Sequence, residues 1–226
     1  MTKNLRATVT VVLVVIAVLV LALLLARRET AVPDFAGRAS GSSAAQQVPG
    51  DVLVRSDSHR LSTPSQSQAT FVEFLDFECE ACRAAFPAVE QLRAEYGDRV
   101  TFVARYFPIP SHANAENAAV AVEAAAQQGQ FENMYKRMFE TQAQWGEQQD
   151  SQAHLFREFA GDLGLDLLAY DQAVSDPATL ERVRRDRADG ETAGVQGTPT
   201  FFLDGTRVEP ESLDDLRLQL DRAIAR

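Results

Sequence analysis

The residues Phe71-Val72-Glu73-Phe74-Leu75-Asp76-Phe77-Glu78-Cys79-Glu80-Ala81-Cys82 constrain this chain more than any other stretch. An apolar run short enough for a buried strand leads directly into a C-x-x-C pair. Cys79 and Cys82 are the only 2 cysteines in the 226-residue sequence. A pair three positions apart cannot staple distant parts of a fold, so a structural disulfide framework is excluded by count. Zinc would need two further ligands, and His59, His112 and His154 stand singly without ligand spacing, so no metal site is expected. Redox chemistry is what remains for the pair.

From Cys79 the pattern turns helical as far as about Tyr96, and Gly97-Asp98 marks the stop. Pro87 sits inside that helix, where it removes one backbone hydrogen bond. Val100 to Tyr106 reads as a second strand, so strand, helix and strand imply parallel pairing. An all-helical stretch follows, over about 112–192. Ala113 to Gln128 is alanine-rich, and Phe131, Met134, Tyr135, Met138 and Phe139 form an amphipathic stripe. Leu155, Phe156, Phe159, Ala160 and Leu163 repeat that pattern, and a weaker helix runs from Leu180 to about Asp189. Thr200 to Leu203, Asp204-Gly205 and Thr206 to Val208 read as strand, turn and strand. Leu213, Leu216, Leu220 and Ile224 face one side of a last helix. The architecture expected is an α/β domain with a helical insertion.

Ala7 to Ala26 is a run of twenty uncharged residues. At about 1.5 Å per residue it matches the apolar thickness of a bilayer. It is longer than a signal-peptide core, and Leu24-Leu25-Ala26 lacks a small-x-small cleavage site, so an uncleaved anchor is expected. The expected organisation is 1–28 as cytoplasmic tail and transmembrane anchor, 29–66 as a flexible linker, and 67–226 as the folded domain. Leu53 and Val54 are the candidate start of a first edge strand within the linker. Beyond Ala26 the chain carries all 32 acidic residues against 20 of the 22 basic ones, a net charge of −12. Such a surface argues against nucleic-acid binding, which needs clustered Lys and Arg.

At the start of a helix Cys79 would meet unpaired N–H groups and the positive end of the dipole, which favour a thiolate. Cys82, three residues on, lies on the same helix face and deeper. The asymmetry makes Cys79 the attacking sulfur and Cys82 the resolving one. Asp76 and Glu78, near the strand end, read as exposed. His112, next to a strand end, reads as a plain loop histidine without a positioned partner; the alternative is a residue near the site.

Phe-x-Asp-Phe-x-Cys-x-x-Cys, Phe107-Pro108 and Gly197-Thr198-Pro199-Thr200-Phe201-Phe202, in that order, resemble the DsbA-like branch of the thioredoxin superfamily over about residues 51–226. The resemblance implies a thioredoxin-like fold with an inserted all-helical domain, preceded here by one transmembrane helix. It implies a cis-proline at Pro199, with Thr198 before it, holding an extended substrate segment beside the reactive sulfur. Glu73 matches the family's acidic residue beneath the site and would relay protons to Cys82; the alternative is a carboxylate that reaches solvent or pairs with a Lys or Arg. Glu80-Ala81 departs from the Pro-His of many oxidising members. A carboxylate beside Cys79 opposes the thiolate and makes the disulfide less oxidising.

The function implied is an extracytoplasmic thiol–disulfide oxidoreductase, single-pass in the cell membrane, introducing disulfides into secreted cysteine-containing proteins through Cys79–Cys82 without a cofactor. A quinone-linked membrane reoxidase of the DsbB or vitamin K epoxide reductase type would be its partner. The alternatives are an isomerase or thiol reductant on the same fold, and a redox-independent client-binding holdase.

Overall fold

The computed structural model describes residues 47–226. The segment Ala7 to Ala26 lies outside them, and no described helix is long and apolar enough to cross a membrane.

Five strands form one sheet in the order β1-β3-β2-β4-β5. The centre is β2 (Ala69–Leu75), paired in parallel with β3 (Val100–Tyr106) along its whole length and antiparallel with β4 (Thr200–Leu203). The two-residue β1 (His59–Arg60) closes one edge against β3, and β5 (Thr206–Val208) closes the other. Being central, β2 is buried on both faces, which is why its sequence is apolar almost throughout. Side chains alternate across the pleat. Phe71 and Leu75 enter one core with Cys82, Val89 and Leu92 of the helix α2 (Glu80–Tyr96), while Val72 and Phe74 join Val103, Phe107 and Phe202 in a second core. Glu73 therefore projects to the α2 side, the side of Cys82.

The segment Gly50–Arg60 belongs to the folded domain, which corrects the expectation of a free linker there. Gly50–Leu53 is a short helix (α1), not the start of a strand, and Leu53 is buried. The first strand comes later, at His59. The cause lies outside the segment. Arg105 on β3 is fully buried and donates to the carbonyls of Val52 and Leu53, satisfying backbone groups that an edge strand would have paired laterally.

Five helices lie between β3 and β4: α3 (Ala115–Ala126), α4 (Phe131–Trp145), α5 (Ala153–Asp162), α6 (Leu167–Ser175) and α7 (Pro177–Thr192). The alanines of α3 let the other four pack closely around it. One helix, α6, was not anticipated. Its start is capped by Asp166, which accepts from the N–H groups of Leu168 and Ala169, and Asp176 ends it while capping α7. The α4 stripe meets α2 through stacked rings, with Phe86 and Phe139 centroids 5.2 Å apart. The final helix α8 (Leu213–Ile224) buries Leu216 and Leu220, and Ser212 caps it.

Candidate active site

The site is built where β2 ends. Phe77 anchors the turn by burying its ring against Phe139 and Tyr135. Cys79 is the N-cap of α2, in extended conformation, and Cys82 stands in the first helical turn. Both are free thiols. Cys82 is fully buried, and Cys79, though the outer of the two, is only 8% exposed. The loop before β4 does the covering. The Thr198–Pro199 peptide is cis, and the Cys79 thiol donates to the Thr198 carbonyl oxygen at 3.3 Å. Residues far apart in sequence, Thr198 and Pro199, thus lie against the reactive pair.

The two sulfurs sit in opposed electrostatic settings. The Cys79 thiol is lowered from 9.0 to about 5, first because Cys82 donates to the thiolate. Burial opposes this, while the Thr198 hydroxyl and the N–H groups of Cys82 and Ala81 add to it. The Thr198 hydroxyl is buried and has no hydrogen-bond partner among the described residues. Glu80 is exposed and does not outweigh these donors. Cys82 is pushed well above its ordinary value by burial, by Cys79 and by Glu73.

Glu73 is 3% exposed and has no ion-pair partner among the described residues. Burial raises its carboxyl to about 8, with Glu90 and Cys79 adding to the effect. It is therefore a neutral acid at pH 7, on the sheet face that carries Cys82.

Asp76 and Glu78 are both buried, contrary to the exposed positions expected from their place near the strand end. Each serves backbone donors of distant loops. Asp76 accepts from the N–H groups of Glu78 at 2.8 Å and Ile109 at 2.9 Å, and lies 2.7 Å from His112 Nδ1. Glu78 accepts from the N–H of Asn114 at 2.6 Å and of Glu147 at 3.2 Å. His112, read from sequence as a plain loop residue, lines a cleft of about 390 Å³ together with Cys79, Glu80, Ala81 and Glu147. Gln142 is the residue the sequence reading passed over. Its amide donates to the carbonyls of Phe77 at 2.6 Å and Cys79 at 2.9 Å, tying the cysteine turn to the helical insertion. Its signal was available, since Gln142 continues the α4 stripe three positions beyond Phe139 and is a polar residue on a buried face.

Among the described residues no cluster of His, Cys, Asp and Glu is suited to a metal ion.

Known proteins resemble this chain in sequence and in fold. The Na(+)/H(+) antiporter NhaA of Herminiimonas arsenicoxydans is 38% identical over 145 residues, covering 64% of this chain and 22% of that protein. NhaA 1 of Mycobacterium sp. (strain KMS) is 37% identical over 139 residues, 60% of this chain and 22% of its own. The chain thus spans about a fifth of the length of these curated relatives. A thioredoxin-like oxidoreductase from Silicibacter pomeroyi DSS-3 superposes with a TM-score of 0.67 at 24% identity, over 79% of this chain and 99% of that one. BdbD from Bacillus subtilis gives 0.65 at 17% identity, over 80% and 98%. The thiol-disulfide exchange protein alpha-DsbA2 from Wolbachia pipientis gives 0.63 at 23%, over 76% and 90%. These neighbours share the fold, a thioredoxin-like sheet carrying a helical block. The family model described as thioredoxin matches residues 64–222, well over half of the sequence, and the chain belongs to the thioredoxin family.

Proposed function

We propose that the domain is a thiol–disulfide oxidoreductase that oxidises cysteine pairs in secreted proteins. The observation that carries this reading is the opposed setting of two adjacent sulfurs, Cys79 lowered to about 5 and Cys82 raised and fully buried. In the oxidised protein a client thiolate attacks Cys79 Sγ. The Cys79–Cys82 bond breaks, and its electron pair leaves on Cys82. Cys82 is a poor thiolate and must be protonated, and Glu73, whose buried carboxyl is raised to about 8, would supply that proton. A second client thiolate then attacks the client sulfur bound to Cys79. Cys79 departs as the better leaving group, because its thiolate is stabilised. The client loses two electrons and the protein gains them. Thr198 and Pro199 present the backbone along which the client would lie.

The tether and its surroundings belong to the same proposal. Ala7 to Ala26 anchors the domain on the outer face of the cell membrane, and a quinone-linked membrane reoxidase restores the disulfide. This placement rests on redox chemistry, since a disulfide donor needs an oxidising compartment. An alkaline phosphatase fusion after residue 60 tests it, and an inactive fusion beside an active cytoplasmic reporter overturns it.

The reductive or isomerising direction is the second reading. Exposed Glu80, next to Cys79, is the observation that favours it, because a carboxylate there opposes the thiolate and weakens the oxidant. Equilibration of the full chain with glutathione, beside a reduced two-cysteine peptide as substrate, decides between the two. Stoichiometric disulfide transfer that vanishes in Cys79→Ser is expected. A Cys79→Ser, Cys82→Ser double variant that keeps its activity in cells defeats both in favour of a client-binding holdase.

A further inference from the structure

Asp76 and His112 form a carboxylate–imidazole pair that the exchange chemistry above leaves unused. The Asp76 side chain is fully buried, whereas that of His112 keeps 30% of its surface. Both Asp76 oxygens accept backbone N–H bonds, Oδ1 from Glu78 and Oδ2 from Ile109, so the carboxylate is held as an acceptor. Burial raises the Asp76 carboxyl, but both its oxygens already accept backbone donors, so the proton of the 2.7 Å contact to Oδ2 is assigned to His112 Nδ1. In the neutral ring that leaves Nε2 as a base, at the solvent end of the pair. The imidazole lines the cleft that contains Cys79. The charged and titratable groups facing it are Asp76 from the end of β2, Glu78, Cys79 and Glu80 from the turn into α2, and Glu147 from the loop after α4. His112 is the one ring base among them.

We propose that His112 is a general base and acid for the client sulfur, with Asp76 as its positioning residue. The inference rests on the thiol-exchange reading of Cys79. An ordinary client cysteine, with a pKa of about 8.5, is only a few per cent thiolate at neutral pH. His112 Nε2 takes the S–H proton as the client sulfur bonds to Cys79 Sγ, while the Cys79–Cys82 bond breaks and its electron pair goes to Cys82. In the reverse direction His112 returns that proton to the departing client sulfur. Cys79 needs no such help, since its own donors already hold the thiolate.

Stopped-flow exchange with the oxidised full chain tests this, comparing a cysteine peptide with thionitrobenzoate, which is already a thiolate. His112→Gln keeps an amide donor for Asp76 and removes the base. We expect the variant to slow the peptide at least about tenfold near neutral pH and to converge with wild type above about pH 9, where the peptide ionises unaided. Thionitrobenzoate should react equally with both proteins, and the Cys79 titration should not move. Asp76→Asn should show the same pH-selective loss. Equal peptide rates at every pH, or an equal loss for both thiols at every pH, would overturn the proposal, the latter by showing that the pair merely holds its loop. A wild-type protein inert toward both thiols would instead remove the exchange reading, and this inference with it.

Discussion

Cys79 Sγ lies 3.3 Å from the carbonyl oxygen of Thr198, a residue 119 positions further along the chain. The contact joins the start of α2 to the loop entering β4, and it exists because β2 and β4 are neighbours in the sheet. A sulfur that is N-cap to a helix and faces a second loop can be served by donors from both sides. The C-x-x-C spacing supplies the foremost donor, Cys82, and the loop entering β4 adds the Thr198 hydroxyl, so together they separate the two cysteines chemically.

The first consequence is measurable by thiolate absorbance. The Cys79 titration should centre near pH 5. Thr198→Val keeps the shape but removes the hydroxyl donor, and should raise the midpoint by about 1 pH unit, the worth of one hydrogen bond to a charged group. Cys82→Ala removes the foremost donor and should raise it further. The stability sign follows from the lowered value. Between about pH 5 and 9 the unfolded chain binds the proton that folded Cys79 has released, so reduced wild type gains stability over reduced Cys79→Ser as pH rises through that range. The gain disappears on acidification below 5. A midpoint near 9 would remove the electrostatic basis of the proposed roles.

Glu73 predicts the opposite slope. Its carboxyl ionises near 4.5 when unfolded and near 8 when folded. Between those values the native state binds the extra proton, so its contribution to stability falls as pH rises. Glu73→Gln cannot ionise. Its advantage over wild type should be absent below about pH 4.5, widen up to about 8, and then level off at no more than several kcal/mol. The same variant should slow the step in which Cys82 leaves as a thiolate, seen as a lower rate of mixed-disulfide formation at pH 7. A parallel pair of pH–stability curves would show that Glu73 is not the buried neutral acid described.

Gln142 gives a prediction that separates scaffold from surface. Gln142→Leu keeps the bulk on the α4 face but leaves the buried carbonyl of Phe77 without its amide donor. The cost expected in urea unfolding is about 1–3 kcal/mol, the usual penalty for an orphaned buried polar group. Gln144→Leu, exposed on the same helix, should cost almost nothing. Similar costs for the two would mean that the amide does not hold the cysteine turn.

Much of the fold follows from local pattern. The apolar run of β2, the amphipathic α4 stripe and the turn at Asp204-Gly205 each declare themselves within a dozen residues, because burial and backbone geometry impose short periods. What escaped is decided at long range. Asp76 and Glu78 look like ordinary solvated carboxylates until Ile109, Asn114 and Glu147 arrive, 33 to 69 positions away, with backbone donors. The carbonyls of Val52 and Leu53 likewise meet their donor in Arg105, more than fifty positions on. The pairing of Thr198-Pro199 with Cys79 was legible only through family resemblance. His112 was misjudged for the same reason as Asp76, since a histidine gains meaning from the carboxylate it meets. A weak amphipathic stretch such as α6 was missed although both its caps, Asp166 and Asp176, stand in the sequence.

At Gly190 the helical insertion presses closely on the sheet. A Cβ added there would stand 2.6 Å from Phe107 Cδ2 and 2.9 Å from Phe74 Cδ1. Neither ring can yield easily, because Phe74 and Phe107 are buried and packed edge to face, with centroids 6.4 Å apart. One methyl group must therefore push α7 away from β2 and β3. That displacement would reach the ion cluster alongside, where Asp189 of α7 meets Arg55 and Arg105, and Asp186 lies 2.8 Å from Arg105. Gly190→Ala should cost about 1–3 kcal/mol from overpacking, despite the better helix propensity of alanine. Pairing it with Phe107→Leu, which shortens the obstructing ring, should cost less than the sum of the two single changes. Gly50→Ala is the control, since a Cβ there meets nothing within 4 Å. Thermal unfolding of the four variants measures the coupling. Strict additivity would show that α7 accommodates the methyl without pressing on Phe107.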